Sequence, residues 1–228
     1  NMFSPPKIQM KDKLIKKIIL KSDKLDFIIL VESNVDFVKD LMNSGLKKDF
    51  VELDKFSLSH GGFIHFFYRN TYQDNQIKYI GNQIQSVIVE CEKVYNDQTF
   101  KFYICGCHLY PFPENSERRL NELLLIREKI PKDSKFIIIG DTNMREKEVK
   151  YLQSNNLIDF NYYQNKKPTW YAGFFDKSKM HITSRYDKLF YSDGIEVEKF
   201  KLIGKNYSNN KYELLSDHLG IISKLRFF

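Results

Sequence analysis

Cysteine, tryptophan and long apolar runs are scarce in this chain of 228 residues. Three cysteines are too few for a disulfide framework, and an odd number leaves one thiol unpaired. Cys105 and Cys107 fall on one face of a predicted strand, with too few soft ligands nearby for a zinc site. No apolar run approaches the ~18 residues of a membrane span, and no apolar segment typical of a secretory signal follows Asn1. We therefore expect an intracellular protein, nuclear or cytoplasmic, that does not bind a membrane.

Apolar and basic residues are plentiful. Hydrophobic residues make up 42% of the chain and aromatic residues 15%, enough for one sizeable core. We expect one catalytic domain over residues 1–228, with a first strand preceding residue 1. Lysine and arginine exceed aspartate and glutamate by 36 − 29 = 7. This excess favours an anionic partner such as nucleic acid or phosphorylated lipid, although solvated lysines would produce the same charge.

The spacing of the apolar residues predicts a mixture of helices and strands. Helices are expected over 10–20, from a cap at Ser33 or Asn34 to residue 42, and from Ser116 until Pro131 stops the third. Strands are expected over 27–31, 62–68, 84–90, 100–107, 136–139, 186–191, 195–202 and 220–225. This order indicates an α/β (α+β) protein with two packed mixed sheets covered by helices.

Acidic and imidazole side chains recur where these strands begin or end. Glu32 follows the first strand, His108 the fourth and Asp141 the fifth, while Asp217 and His218 precede the last. Each alone is an ordinary polar residue at a strand end. Residues distant in sequence meet where strand ends share one rim of a sheet, so the set predicts a site there.

The residue types in this set suit phosphoryl transfer. Hard carboxylate oxygens favour Mg²⁺, with Mn²⁺ as an alternative, and we expect Glu32 to be the first metal ligand and Asp217 the second. Asp141 is expected to orient or deprotonate a water molecule, with Asn143 helping to hold it. His218 is expected to donate to a phosphate oxygen in the transition state.

Several short motifs resemble those of one enzyme family. FIIIGDTNMREKEV at 136–149 resembles the GDTNLRDREV signature of the tyrosyl-DNA phosphodiesterase 2 branch of the endonuclease/exonuclease/phosphatase superfamily. SDHLG at 216–220 resembles its SDHWG, ILVE at 29–32 its LQEV, and Asn1 the Asn of its TWN. CHL at 107–109, ERR at 117–119, TW at 169–170 and RYDKLF at 185–190 follow in the family's order.

This resemblance implies a fold, a reaction and a set of roles. The fold is a four-layer α/β/β/α sandwich of the DNase I type. The reaction is Mg²⁺-dependent release of tyrosine from a 5′-phosphotyrosyl DNA end, as left by a trapped type II topoisomerase, giving a 5′-phosphate. The implied roles are metal binding by Glu32, water activation by Asp141 with Asn143, phosphate contact by His108, His218 and Asn1, orientation of His218 by Asp187, and contact with the scissile phosphate or leaving group by Arg145.

The resemblance also implies a groove for the DNA end. Trp170 and Phe50 fall where the family has aromatic residues that line the groove, and Arg118 lies in the matched Glu-Arg pair and is assigned to substrate binding. Such a groove suits an end that is single-stranded. Core packing is the alternative for both aromatic residues. We further expect a monomer.

The sequence departs from the family after His108, and other readings remain open. Tyr110 and Pro111 stand where the family has an acidic residue and a serine, which puts substrate selectivity in question there. A phosphoinositide 5-phosphatase is the nearest rival, although that family's Cys-Asp-Arg is absent. A DNA or RNA nuclease, or a deadenylase, shares the same centre, and RNA is a further candidate for the tyrosine-linked substrate. A module that binds nucleic acid without catalysis is the remoter alternative.

Overall fold

The computed structural model describes residues 5–57, 63–81, 85–95, 97–155, 157–172, 177–179, 181–208 and 211–228. Asn1, for which the resemblance implies a phosphate contact, lies outside the described residues. The helices are α1 Pro5–Ser22, α2 Val35–Asn43, α3 Ser116–Lys129 and α4 Glu146–Ser154. The strands are β1 Phe27–Ser33, β2 Phe50–Ser57, β3 Phe63–Arg69, β4 Ile77–Gly81, β5 Ser86–Tyr95, β6 Gln98–His108, β7 Lys135–Asp141, β8 Asn161–Tyr162, β9 Trp170–Tyr171, β10 Thr183–Ser184, β11 Asp187–Tyr191, β12 Ile195–Ile203, β13 Lys205–Ser208, β14 Lys211–Leu214 and β15 Gly220–Phe227.

The largest sheet has six strands in the order β4-β5-β6-β7-β11-β8. Its neighbours are antiparallel except β6 and β7, which run parallel. A three-stranded sheet has the order β1-β3-β2, and the two-stranded ladders are β12-β15, β13-β14 and β9-β10. The single parallel pair matters for function, because it brings the carboxyl ends of β6 and β7 to the same edge.

Three of the four apolar clusters among the described residues lie between the layers of the fold. One core packs α1 and α2 against β1–β3, and its members include Ile15, Leu41 and Phe67. A second lies between β1–β3 and the six-stranded sheet, where Phe66 meets Val89, and side chains of β12 and β15 pack against it. The third packs α3 and α4 on the far face of the large sheet. The order is helices, sheet, sheet, helices, so the predicted α/β/β/α sandwich is confirmed.

Local sequence signals place most of these elements. The Asn34 side chain caps α2 by accepting a hydrogen bond from the amide of Phe37 at 2.7 Å. Helix α3 ends at Lys129, ahead of Pro131, as expected. Strands β5 and β6 form a hairpin, with Tyr95 paired to Gln98 at its end. No helix within the described ranges is long and apolar enough to cross a bilayer.

Candidate active site

Three neighbouring strands of the large sheet place polar residues beside one another at one edge. His108 pairs with Asp141 at the carboxyl ends of β6 and β7, and Asp141 pairs with Asp187 at the start of β11. Gly140 permits this junction, because its φ is 147° and a Cβ there would lie 2.1 Å from the carbonyl oxygen of Cys107. The register of three strands thus brings together three of the predicted site residues.

Asp141 lies between two imidazole rings. The carboxyl is only 6% exposed, and its Oδ2 atom lies 3.4 Å from Nε2 of His108 and 3.6 Å from Nε2 of His218. Its Oδ1 atom accepts a hydrogen bond from the amide of Asn143 at 2.9 Å. The carboxylate is therefore surrounded by donors, the surroundings in which its ionised form is favoured.

Backbone and side-chain contacts fix His218. Its Nδ1 atom donates to Oδ2 of Asp187 over 2.8 Å, and its backbone forms a bridge with Trp170. Asp187 is held in turn by Thr169, whose hydroxyl oxygen accepts from the Asp187 amide at 3.1 Å and which is fully buried. Because Nδ1 is engaged with a carboxylate, Nε2 of His218 is the ring nitrogen left to meet a substrate.

The charges of the site follow from these contacts. Burial acts to lower the pKa of His218, but the hydrogen bond and charge of Asp187, together with the charges of Asp141 and Asp217, raise that pKa to about 10. Burial likewise opposes the charged form of His108, while Asp141 and Glu32 raise its pKa above the ordinary value. For Asp141, burial is outweighed by hydrogen bonding from His108 and by the charge on both rings, which lower the carboxyl pKa. The ring of His218 is therefore cationic, and a protonated ring is suited to donate hydrogen bonds to phosphate oxygens.

The chain turns sharply after Asp141. Asn143 has a φ of 50°. The Nδ2 atom of its side chain donates to the carbonyl of Leu109 at 3.0 Å and to Oδ2 of Asp141 at 3.2 Å. Arg145 donates from Nη1 to the carbonyl of Asn143 at 2.8 Å. The amide of Asn143 thus joins the turn to the segment that follows His108, and the guanidinium of Arg145 lies two residues beyond it.

An aromatic pair lies beside the imidazole of His218. The ring of Tyr186 lies 5.3 Å beneath the guanidinium carbon of Arg145, and the ring of Trp170 lies 5.7 Å from that of Tyr186. Both rings are half-buried, so each keeps surface for a ligand. Tyr186 is also tied to the turn, because its carbonyl accepts from the Thr142 hydroxyl at 2.8 Å.

The chemistry of the available donors fits a hard cation. The side chain of Glu32 is 51% exposed, and its Oε1 atom lies 3.5 Å from Nδ1 of His108. The backbone of Glu32 has a φ of 54°. The Asp217 carboxylate is 28% exposed, with Oδ2 4.0 Å from Nε2 of His218. The thiols of Cys105 and Cys107 are fully buried, and burial raises the pKa of Cys105 to about 12, so soft thiolate ligands are not offered.

A second group of ligand atoms belongs to Asp141, Asp187 and His218, which lie within 4.8 Å of one another. In that group the Nδ1 atom of His218 already contacts Asp187. The carboxylates of Asp141 and Asp187 are hard oxygen donors of the same kind as those of Glu32 and Asp217.

A family model agrees with this geometry. The model of the endonuclease/exonuclease/phosphatase family matches residues 8–218. The chain belongs to this family. Enzymes of the superfamily are hydrolases that typically use a divalent metal, and they include phosphodiesterases, nucleases and phosphatases.

Solved structures of several family members share the fold at low identity. A D. rerio TDP2 humanized by 14 mutations is 19% identical, with a TM-score of 0.67, over 99% of this chain and 94% of that one. The human Nocturnin catalytic domain with bound sulfate is 14% identical, with a TM-score of 0.67 over 96% and 86%. A Bacteroides thetaiotaomicron mannosyl-6-phosphatase is 14% identical, with a TM-score of 0.68 over 97% and 92%. No curated protein matches the chain.

Two predicted substrate residues lie away from the Asp141 cluster of contacts. Phe50 is 2% exposed and packs in the core beneath α1 and α2, so its assignment to the groove wall is wrong; its ring fills the space between those helices and the small sheet. Arg118 is half-exposed on α3, where it pairs with Glu122 at 3.2 Å and stacks on the ring of Tyr110 at 3.3 Å.

Thr169 and Tyr186 contact the residues of the site, but no local sequence pattern indicated a role for either. Thr169 and Tyr186 were matched as motif neighbours of Trp170 and Asp187, without a role of their own. Their contacts depend on β9 and β11 approaching His218, which involves residues about 30 to 50 positions apart and has no signature in local spacing. The only available signal was their place inside the matched motifs.

Proposed function

We propose that the protein hydrolyses 5′-phosphotyrosyl ends of nucleic acid, releasing tyrosine and leaving a 5′-phosphate. The observation that carries this proposal is the GDTNMR turn at 140–145, whose Arg145 lies over the ring of Tyr186. That ring packs against Trp170, whose backbone bridges His218. A cation and two half-buried rings next to a phosphate-binding centre suit a terminal nucleotide and an aromatic leaving group. A further D. rerio TDP2 structure, 18% identical, is complexed with a single-stranded DNA product.

Mg²⁺ is the proposed metal, with Glu32 and Asp217 as its ligands. When bound, it would offset negative charge on the phosphoryl oxygens. The remaining roles belong to the protein's own side chains. His108 and His218 donate to the non-bridging phosphate oxygens, and Asp187 keeps His218 oriented and protonated. Asp141 accepts a hydrogen bond from the attacking water and aims it at phosphorus.

The lowered pKa of Asp141 keeps its carboxylate ionised. It can therefore hold the attacking water in line with the leaving oxygen and take up the water's proton as the new bond to phosphorus forms. Asn143 fixes the carboxylate of Asp141 through its backbone and side-chain amides. Arg145 donates to the carbonyl of Asn143 within this turn, which supports the proposal that it binds the oxygen of the departing tyrosine.

We further propose that the partner is DNA with a single-stranded 5′ end, that the enzyme acts as a monomer, and that it works in the nucleus or cytoplasm. The half-buried ring of Trp170 beside His218 supports the single-stranded end, because base stacking needs an unpaired base. The excess of seven positive charges supports a polyanionic partner.

A substrate comparison tests this proposal. A single-stranded oligonucleotide with a 5′-phosphotyrosine is incubated with Mg²⁺, beside the same oligonucleotide with a plain 5′-phosphate and an inositol 5-phosphate. Tyrosine release with a 5′-phosphate product, and no internal cleavage, is the expected result. Hydrolysis of the inositol phosphate alone would overturn the tyrosyl proposal and favour a phosphoinositide phosphatase, and internal cleavage would favour a nuclease.

A further inference from the structure

A buried ion pair joins the two helices behind the active site. Arg119 of α3 is 0% exposed and Glu148 of α4 is 4% exposed. Nη2 of Arg119 lies 2.5 Å from Oε1 of Glu148, and Nε lies 3.3 Å from Oε2. A buried ion pair contributes little net stability, because desolvation of both charges offsets their attraction. Its other contacts point to a different role.

The arginine holds the segment that leaves the active site after His108. Nη1 of Arg119 donates to the carbonyl of Tyr110 at 2.9 Å and to the carbonyl of Phe112 at 2.6 Å. The guanidinium therefore donates to two backbone oxygens as well as to Glu148. These bonds fix the path of the chain within four residues of the His108 ring.

The glutamate holds the opposite wall. Oε2 of Glu148 accepts a hydrogen bond from the backbone amide of Arg145 at 2.9 Å, at the first turn of α4. Arg145 in turn donates to the carbonyl of Asn143. Glu148 is thus connected through Arg145 to the turn that contains Asp141 and Asn143.

The two walls also meet directly. The amide of Leu109 donates to the carbonyl of Asp141 at 2.9 Å, and the side chain of Asn143 donates to the carbonyl of Leu109 at 3.0 Å. We propose that Arg119 and Glu148 are positioning residues that hold the segment after His108 against the turn at Asp141 and Asn143. His108, Asp141 and Asn143 then keep the spacing needed for hydrolysis.

Backbone strain shows that the first wall does not hold its shape by itself. Phe112 has a φ of 69° and a ψ of 146°, a region that residues other than glycine rarely adopt, and its side chain is 61% exposed. Its own carbonyl is the acceptor of the shorter bond from Arg119. Glu122 and Asn115 also hold the segment, by accepting from the amide of Tyr110 at 3.1 Å and donating to the carbonyl of Pro111 at 2.7 Å. Loss of both Arg119 bonds is expected to loosen it and to draw Leu109 away from Asn143.

The experiment replaces both partners at once, because removing one would leave the other charge buried and unfold the site for an unrelated reason. The double variant Arg119→Met/Glu148→Leu is compared with wild type and with Arg127→Met. The control removes a two-bond arginine–carboxylate pair, to Asp159, from the same helix without contacting the site. The substrate is the p-nitrophenyl ester of thymidine 5′-phosphate.

The double variant is expected to keep a Tm near that of wild type while kcat falls about 10- to 100-fold and KM changes little, since a misplacement near 1 Å has effects of that size. The control should keep its kcat. Adding Phe112→Gly to the double variant should recover part of the lost kcat, because glycine adopts the required backbone conformation without strain. A kcat equal to wild type in the double variant would overturn the proposal.

Hydrogen exchange gives a readout that does not depend on activity. The amides of Leu109 and Asn143 should exchange faster in the double variant, while amides in the second half of α3 stay as protected as in wild type. Unchanged exchange at those two amides would also overturn the proposal. The inference rests on the proposed function only through the ester, so a wild type inactive on it would defeat the tyrosyl reaction and leave the exchange test standing.

Discussion

Asp187 acts through His218, which it contacts at 2.8 Å. In Asp187→Asn the ring loses the carboxylate that orients it and that contributes most to its raised pKa. We expect kcat to fall by roughly 10²- to 10⁴-fold with little change in Tm, in line with other acid–base positions. Steady-state kinetics beside Asp193→Asn, an exposed aspartate at the end of the same sheet, make the comparison. Equal kcat values for the two variants would contradict the role of Asp187.

Lys188, the next residue on β11, destabilises the folded protein when its amine is charged. It is 2% exposed, donates to the carbonyl of Arg185 at 2.7 Å, and burial lowers its pKa to about 8. Between pH 8 and the ordinary value near 10.4, the unfolded chain therefore binds more protons than the folded chain, so this residue's contribution to stability rises with pH. The destabilising effect is complete below pH 8.

The variant Lys188→Met tests that direction. It should raise the free energy of unfolding at pH 7, by at most about 3 kcal/mol because one pKa unit corresponds to about 1.4 kcal/mol. At pH 9 the gain over wild type should be smaller by about 1 kcal/mol. Urea unfolding of both proteins at the two pH values measures the difference, and all other groups cancel in it. A gain that grows with pH would contradict the lowered pKa of Lys188.

At the scale of elements, the junction of β6 and β7 depends on Gly140. A Cβ there would meet the backbone oxygen of Cys107 at 2.1 Å, and that oxygen belongs to the neighbouring strand. Gly140→Ala should therefore lower the free energy of unfolding by about 3 kcal/mol or more and displace Asp141 from His108. Gly81→Ala, at the end of β4 with no atom within 4 Å of the added carbon, is the matched control. Thermal unfolding and activity of both variants check this, and similar losses in both would contradict it.

Elements were predictable from sequence where apolar residues form unbroken or periodic runs, as in β7 and α3. Helix α4 was missed because it buries only Val149 and Leu152 as apolar residues and is otherwise polar. The short strands β9 and β10 pair over two residues each, which is too little for any period. These elements exist because of tertiary contacts, since β9 is fixed by its bridge to His218.

The candidate site was predictable in its members and only partly in its geometry. The strand ends predicted that these residues would lie near one another, and the structure brings His108, Asp141 and Asp187 together, but the neighbours of Asp141 depend on which strands pair and in which register. Phe50 shows the limit of the method. An aromatic residue suits a groove and a core equally well, and only the packing of α1 and α2 over β2 shows that Phe50 belongs to the core.

At the scale of the whole molecule, the site collects residues from across the fold. Glu32 comes from the small sheet, His108, Asp141 and Asp187 from the large sheet, and His218 from the segment before β15. Ion contacts of 3.4 to 3.6 Å link Glu32 to His108, His108 to Asp141, and Asp141 to His218. Because both sheets contribute, the relative placement of the two central layers sets the spacing between Glu32 and the carboxylate of Asp141.

We propose that Asp141 serves hydrolysis of a nucleic acid phosphodiester in a metal-dependent centre. Tyrosine release from a 5′-phosphotyrosyl single-stranded oligonucleotide is measured for wild type and Asp141→Asn, with Mg²⁺ and with a chelator. Wild type with Mg²⁺ should release tyrosine, the chelator should abolish release, and the variant should be slower by roughly 10²- to 10⁴-fold while still folded. Release by Asp141→Asn at the wild-type rate would contradict the claim.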